Sequence, residues 1–485
     1  MPYVTMIRLR ERAEHHSPGG APPMQYMPVT ESMFLVAETR DQPMHVGGLQ
    51  LFVPREGQTS EELAEEMAAS FAAATDVAPM FLKRPATPAQ FAGYTAWSFD
   101  DEIDPDYHLR RIILPRPGAV RDLLRYVSLN HGALLDRRRP MWEMHIIEGL
   151  ADGRVALYTK VHHSVVDGVT ALRLLQRTLS TDPADRTGTA VWDARLKRRR
   201  PPVERESKGL LASITGAASQ VLDIADQVVG LAPAAAKIAV AGVTDKDYFA
   251  PMQQAPQTIL NVPIGSARRF AAQDWPVERL RAVGKAQKMT LNDVVVAMCA
   301  GAMRTYLSDH DALPDESLVA VMPVSLHADG DDDGNAVTAI SVRMATDLED
   351  AGERLAAIKA STTAAKKAVR GLRPLQALAL GAATIWPLAF NTVPGFVEYT
   401  PTGFNLMISN VPGPEEQLYW NGARLDGCYP VSIPMEGLAM NITVTTVSGK
   451  ANFGIIGARA ELPRLQRILD HLETTLTELE ALPPA

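Results

Sequence analysis

Between Val155 and Leu175 the hydrophobic period of the chain changes, and two adjacent histidines stand at the change. Val155 to Val161 is rich in β-branched and aromatic residues and reads as a strand. Beyond Asp167-Gly168, the residues Val169, Leu172 and Leu175, with Leu174 and Leu179 alongside, fall on one face of a helix. His162 and His163 therefore end a strand, Ser164-Val165-Val166 forms a short loop, and Asp167-Gly168 opens a helix. Successive strand side chains point to opposite faces, so one histidine faces a cavity while the other packs into the protein. Side chains that diverge do not converge on one ion, which argues against a metal site.

The surroundings of this stretch narrow the class. A chain of 485 residues makes two or three domains. With 48 Lys+Arg against 56 Asp+Glu, the net charge of −8 disfavours nucleic acid as a partner. Cys299 and Cys428 lie far apart in apolar settings, which suits a reducing compartment rather than a disulfide framework. The N-terminus lacks the apolar core of a secretory signal. No window offers the roughly 18 uninterrupted apolar residues of a spanning helix. The expectation is a cytoplasmic protein, free or attached to a membrane surface without crossing it.

In chain order, residues 1–25 read as a flexible N-terminus. Met44 to Val53 and Tyr107 to Pro115 predict strands, and Glu61 to Ala74 and Val120 to Leu134 predict helices. MWEMHIIEGL and RVALYTKVHH form a hairpin about Ala151-Asp152-Gly153. These fall in a first domain, 26–185. Residues 186–263 form a linker whose Leu211, Ile214, Ala218, Val221, Ala225 and Val228 mark an amphipathic helix. A second domain, 264–485, opens with a strand, a helix from Val277 to Ala286, and a helix N-capped at Asn292-Asp293. Gly330 to Asn335 is an acidic loop, and prolines break the apolar run Leu372 to Phe396. Strands and helices mix without a strict βαβ rhythm, so two α/β domains with mixed sheets fit better than a Rossmann fold or barrel. No glycine-rich nucleotide loop follows a strand.

Histidine titrates near neutral pH, so His162 or His163 in a cleft is a candidate general base. There is no GxSxG elbow, and neither cysteine lies in a nucleophile setting. A base without a protein nucleophile implies that a substrate hydroxyl, amine or thiol attacks. Asp167 caps the next helix or pairs with an arginine, and Gly168 lets the backbone turn tightly. Packed histidines before an ordinary helix cap are the plainer alternative. The full pattern HHxxxDG, here His162 to Gly168, arises by chance in roughly one chain in a thousand of this length.

That pattern resembles the signature of the acyltransferases with the chloramphenicol-acetyltransferase-like fold. RRRPMWEMHIIEGL (Arg137 to Leu150) and LNDVVVA (Leu291 to Ala297) resemble the PLW and ND motifs of the bacterial wax ester synthase/diacylglycerol acyltransferase family. PMHVGGLQLF, LLDRRRP, PIGSARRF, SNVPGP and NITVTTVSGKANFG follow in that family's order, with Met141 in place of the PLW leucine and Ser164 where alanine is common.

The resemblance implies two chloramphenicol-acetyltransferase-like domains, joined by the partly helical linker, with a tunnel between them. Acyl-CoA enters as a substrate, no cofactor is bound, and the acceptor is diacylglycerol or a fatty alcohol. His163 is the implied base, with His162 and Asp167 structural. Asn292 and Asp293 support the tunnel, Asn292 as a candidate oxyanion donor, and Pro140 and Trp142 shape the interior. Arg268, Arg269, Lys285 and Lys288 are candidates for the CoA phosphates. The implied location is cytoplasmic, peripheral to the inner face of the membrane or to lipid droplets. Condensation-domain-like or polyketide-associated acyltransferases share HHxxxDG, and a lipid-droplet coat without turnover is the non-enzyme alternative.

Overall fold

Capping motifs and alternating apolar runs lay down the elements seen in the computed structural model. It describes residues 24–87, 96–198, 247, 254–325, 337–370, 372, 376, 380, 381, 384 and 403–485. The first half supplies β1 (Gln25–Tyr26), α1 (Val29–Ala37), β2 (His45–Val53), α2 (Ser60–Ala72), β3 (Lys83–Ala86) and β4 (Ala96–Phe99). It continues with α3 (Pro105–His108), β5 (Leu109–Ile113), α4 (Val120–His131), β6 (Trp142–Glu148), β7 (Val155–His162), α5 (Gly168–Arg177) and α6 (Arg195–Arg198). The second half opens with β8 (Arg268–Pro276), α7 (Val277–Ala286), α8 (Leu291–Ser308), β9 (Val319–Ser325), β10 (Val337–Arg343) and α9 (Ala351–Val369). It closes with β11 (Leu406–Pro412), β12 (Tyr419–Trp420), β13 (Ala423–Val431), β14 (Met440–Val447), β15 (Lys450–Ala458) and α10 (Arg467–Glu480).

Local chemistry explains the helix ends. Thr59 and Glu62 form a reciprocal capping box at α2. At α8 the cap is Thr290, boxed with Asp293, rather than the expected Asn292, which sits inside the first turn. The hydroxyl of Thr290 accepts from the Asp293 amide, a bond Asn292 is two residues too late to make. Along α4, Leu123, Val127 and His131 are buried at four-residue spacing, while Arg121, Arg125 and Leu129 face outward.

Two mixed six-stranded sheets carry the fold, ordered β12-β13-β2-β7-β6-β5 and β10-β9-β11-β14-β15-β8. The hairpin expected about Asp152-Gly153 is β6–β7, paired antiparallel from Trp142↔Val161 to Ile147↔Ala156. The division at 264 needs correction in one respect. β13 pairs with β2, from Arg424↔Val53 to Val431↔Gly47, so the second half of the chain completes the first sheet. Short strand runs name no partner, and the apolar pattern of 423–431 fits either sheet.

The exchanged strand packs directly on the second sheet. The Cys428 amide donates to Asn452 Oδ1 at 3.3 Å, and Tyr429 OH donates to Asp274 Oδ1 at 2.5 Å. On the same contact, α4 joins β8 through the Phe270 amide and Ser128 Oγ at 2.9 Å. Leu49, Leu51, Phe270, Tyr429 and Ile456 share one buried cluster here, drawn from both halves. Larger cores fill the far side of each sheet.

The linker helix expected at Leu211 to Val228, the loop Gly330 to Asn335 and nearly all of the flexible N-terminus fall outside the described residues, as does most of Leu372 to Phe396. Among the described residues no helix is long and apolar enough to cross a membrane.

At the crossing of the sheets, a Cβ on Gly454 would overlap the Pro430 carbonyl of β13. Backbone cannot move aside there without breaking the ladders. Gly454→Val is therefore expected to lower stability by about 1–3 kcal/mol or more, as overpacking does. An unchanged midpoint in urea unfolding would show that the crossing is not close-packed.

Candidate active site

The β2–β7 ladder ends on the pair His45↔His162. One residue further, the His163 amide donates to the Met44 carbonyl at 2.8 Å, and the Val165 amide donates to the His162 carbonyl at 2.9 Å. This last bond closes the turn that leads into α5. Asp167 is the N-cap, accepting from the Thr170 amide and from Thr170 Oγ1, each at 2.8 Å. Of the two roles open to Asp167, capping is the one seen. Gly168 follows without a positive φ, and a Cβ there would meet nothing within 4 Å. The expected tight turn therefore does not require this glycine. What its missing side chain leaves is open space at the mouth of the motif.

The two imidazoles occupy different environments. His162 is fully buried. Its Nδ1 accepts from the Ser164 amide at 3.1 Å and lies 2.7 Å from Ser164 Oγ. With Nδ1 accepting, the proton belongs on Nε2, which lies 3.3 Å from Glu38 Oε1 at a poor hydrogen-bond angle. Glu38, 2% exposed, also accepts from the Met44 amide at 3.1 Å. Arg137 donates to Glu38 Oε2 through Nε at 3.1 Å and Nη2 at 2.9 Å, and Nη2 also reaches the Leu35 carbonyl at 2.8 Å. Burial pushes the Glu38 pKa up, but His162, the Met44 amide and Arg137 together hold it below the usual carboxylate value.

His163 has no comparable partners. Its ring stacks on Phe34 of α1, with centroids 4.1 Å apart and planes 20° from parallel. Its Nδ1 is sealed from solvent with no hydrogen-bond partner, while the residue as a whole is partly exposed. Burial pushes its pKa down to about 4, with its own carbonyl and the charge of Asp167 opposing. A neutral imidazole carries one free lone pair, and no hydrogen bond among the described residues occupies Nε2. Met44, Val46 and Ile433 form a small apolar cluster around this end of the strand, with Phe34, Ala37, Ala171 and Met435 against it. Ile433 and Met435 come from the segment that follows β13, so both halves of the chain build the wall.

The remaining sequence candidates separate. Trp142 is buried, donates Nε1 to the Phe81 carbonyl at 2.9 Å and stacks on His108 at 4.3 Å; Pro140 is buried beside it in sequence. Asn292 Oδ1 accepts from Asn410 Nδ2 at 3.5 Å, joining the LND segment to SNVPGP. Asp293 is buried, caps Thr290 and lies 3.4 Å from Lys366 Nζ. The four basic candidates do not converge. Arg268 is buried and its guanidinium is committed to the Gly265 and Asp41 carbonyls. Arg269 lines a cleft with Arg121, Arg125 and Arg459, whereas Lys285 and Lys288 line a different pocket. Among the described residues no group of three His, Cys, Asp or Glu side chains is placed to hold a metal ion.

Sequence reasoning missed Glu38, Phe34 and Asn410, and read Arg137 only as the start of the PLW-like segment. A lone acid in FLVAETR carries no signal that it is buried. The sole hint was the arginine that opens the PLW-like segment, which needs a carboxylate once its guanidinium packs inward.

Comparison with known proteins places these features. Residues 27–295 match the wax ester synthase/diacylglycerol acyltransferase catalytic domain, and residues 333–480 match the WS/DGAT C-terminal domain. The chain is 46% identical over 460 residues to a probable diacylglycerol O-acyltransferase of Mycobacterium tuberculosis, covering 94% of this chain and 99% of that one. It superposes on the wax ester synthase/diacylglycerol acyltransferase of Marinobacter aquaeolei VT8 with a TM-score of 0.72 at 40% identity, covering 94% of this chain and 99% of the other. The first condensation domain of the CDA synthetase shares the fold alone, with a TM-score of 0.55 at 14% identity over 96% of this chain and 98% of that one. Together with an HHxxxDG motif whose histidines are held in two distinct environments, these matches show that the chain belongs to the wax ester synthase/diacylglycerol acyltransferase family.

Proposed function

We propose that this acyltransferase moves a long-chain acyl group from acyl-CoA to the hydroxyl of diacylglycerol, or of a long-chain alcohol, by direct transfer with His163 as general base. The observation that carries the reading is the contrast between the histidines. His162 has Nδ1 on Ser164 and Nε2 beside the buried Glu38 carboxylate, whereas no hydrogen bond among the described residues occupies Nε2 of His163, beside an apolar cluster. Nε2 takes the acceptor proton while the acceptor oxygen attacks the thioester carbonyl. The tetrahedral intermediate collapses as the C–S bond breaks, and the same proton passes from His163 to the departing sulfur, giving ester and free CoA. The names of the relatives support both acceptors, and the lining of Phe34, Met44, Ile433 and Met435 suits apolar ones.

A peripheral site on the cytoplasmic face of the membrane or on a lipid droplet fits this substrate class. Met33 and Val36 are 58% and 73% exposed on α1, the helix that also carries Phe34, and Tyr26 of the preceding β1 is 70% exposed. Both cysteines are free and buried, which accords with a reducing compartment.

The deciding experiment supplies purified protein with long-chain acyl-CoA and either diacylglycerol or a fatty alcohol, and measures free CoA and neutral lipid. Release with one acceptor or both supports the proposal; no release with either sinks it. Under the same assay His163→Ala is expected to lose about 10²–10⁴-fold in turnover while melting like the parent. Retained turnover would remove His163 as the base.

The depressed pKa of His163 gives a pH signature. The ring stays neutral from alkaline pH down toward its folded value of about 4, so kcat/KM is expected to hold through pH 6.5 and fall only as 4 is approached. The same shift stabilises the fold above the ordinary value of 6.5, and that contribution is lost as pH drops through 6.5 toward 4. An acid limb centred near 6.5 would mean that the ring is solvated.

A further inference from the structure

Away from the histidines, α4 and β8 border a cleft of about 420 Å³ lined by Arg121, Arg125, Arg268, Arg269 and Arg459. The chain as a whole carries a net charge of −8, so this concentration of cations is local. Asp122 is the one acid among the described lining residues, and its carboxylate already accepts from the Ala119 amide at the start of α4. Arg121, Arg125, Arg269 and Arg459 have no ion pair or side-chain hydrogen bond among the described residues. Arg268 is 4% exposed, and its guanidinium donates through Nη2 to the Asp41 carbonyl at 2.7 Å and through Nη1 to the Gly265 carbonyl. Both acceptors are neutral, and no ion pair among the described residues reaches it. Burial pushes its pKa down to about 10 against the pull of Glu461, Asp41 and Glu436. A desolvated guanidinium without a counter-ion is costly, and like charges clustered around it add repulsion. An anion seated in the cleft offsets both.

The lining selects among anions. A guanidinium offers parallel N–H donors to a single phosphate or carboxylate, so several around one concavity suit a headgroup with several oxygens. A phosphate monoester carries about two charges near neutral pH and three strong acceptor oxygens. No aromatic side chain lines the cleft among the described residues, so nothing there stacks on a base, which separates this ligand from a nucleotide. The wall carries Leu129 instead, 59% exposed on the α4 face that holds Arg121 and Arg125, and this suits a phosphate borne on an apolar molecule. Through Asp41, Arg268 is tied to the loop between α1 and β2, and α1 carries the exposed Met33 and Val36. At its C-terminal end α4 reaches the Ser432 carbonyl through His131, beside Ile433 of the apolar cluster near His163.

We propose that the arginine cleft between α4 and β8 binds the phosphate monoester headgroup of a glycerolipid, with Arg121, Arg125, Arg269 and Arg459 as its contacts above the buried Arg268. That the phosphate belongs to a lipid rests on the lipid-surface reading given above, whereas the anion site itself stands on the cleft. It assigns Arg268 and Arg269 to a ligand other than the acyl donor.

The test uses the full chain with Arg121→Gln, Arg125→Gln and Arg459→Gln combined, three exposed side chains without a partner to lose. Binding is read by flotation with phosphatidylcholine vesicles containing phosphatidate, a monoester, or phosphatidylglycerol, a diester, at equal surface charge. The parent is expected to prefer the phosphatidate vesicles, and the triple variant to need about ten-fold or more lipid for half-binding to them. Equal binding of the parent to both vesicles overturns the proposal, because the cleft would then read charge alone. So does an equal loss from Lys285→Gln with Lys288→Gln, which line a different pocket. Release from phosphatidate vesicles by free CoA would make the cleft a donor seat and overturn it as well. Binding of glycerol 3-phosphate in solution, lost in the triple variant while no vesicle is bound, would put a free phosphate ester in the cleft and reject the lipid. Vesicle binding that survives the triple variant but is lost with Met33→Asp and Val36→Asp leaves the lipid-surface reading standing and removes the cleft alone.

Discussion

A carboxylate buried at 2% exposure has to be matched by donors or it costs several kcal/mol, and Glu38 is held by donors from two separated parts of the chain with a histidine ring from a third beside it. Met44 contributes its amide at the start of β2, Arg137 its guanidinium from the turn before β6, and His162 its ring from the end of β7. The environment of His163 is a consequence. Met44 gives its amide to Glu38 and its carbonyl to the His163 amide, so the backbone under the His163 ring is fixed by the same residue. Glu38 also ends α1, and four residues earlier on that helix Phe34 stacks against the His163 ring. Loss of the buried acid would release the helix, the strand entry and the motif together.

The other half of the wall depends on the exchanged strand. β13 runs along β2 as far as Val431↔Gly47, and Ile433, just beyond, clusters with Met44 and Val46 at the start of β2. His131 Nε2 lies 2.9 Å from the Ser432 carbonyl, and the Glu436 amide donates to Gln42 Oε1 at 2.6 Å. Ile433 and Met435, between these anchors, meet Met44 and Phe34. A chain cut into two self-contained domains would have left His163 open on this side. Pairing a late strand with an early one brings Ile433 and Met435 to this wall.

Much of this was legible in the residues. The change of period at His162-His163 located the strand end and α5, Asp167 the cap, and Asp152-Gly153 the hairpin, because each depends on neighbours in sequence. The exchange of β13 was not legible, since an apolar alternating run says that a strand exists and not which edge it joins. Glu38 was hidden for the same reason: its burial is decided by Arg137 and His162, far along the chain. Asn292 misled because asparagine is a good cap by type, whereas Thr290 and Asp293 satisfy each other reciprocally two positions away. Gly168 misled because glycine suggests a strained turn, while here it leaves space empty. Residues chosen for interactions with their neighbours could be read, and those chosen for distant partners, or for what they omit, could not.

The dryness of the His163 site sets its chemistry in two opposing ways. Exclusion of water pushes the imidazole pKa down to about 4, which keeps its lone pair available and also makes it a weaker base. On the acyl-transfer reading, the same exclusion protects a thioester from hydrolysis, the reaction that competes with attack by an alcohol. A wetter pocket would raise the basicity of His163 and admit the wrong nucleophile. The weaker base becomes sufficient when the acceptor hydroxyl is itself stripped of water and held at Nε2, because proximity then supplies what proton affinity does not. Keeping the polar shell of Glu38, Arg137 and Ser164 on His162, one residue away and on the opposite face, lets the motif be firmly held without wetting the His163 ring.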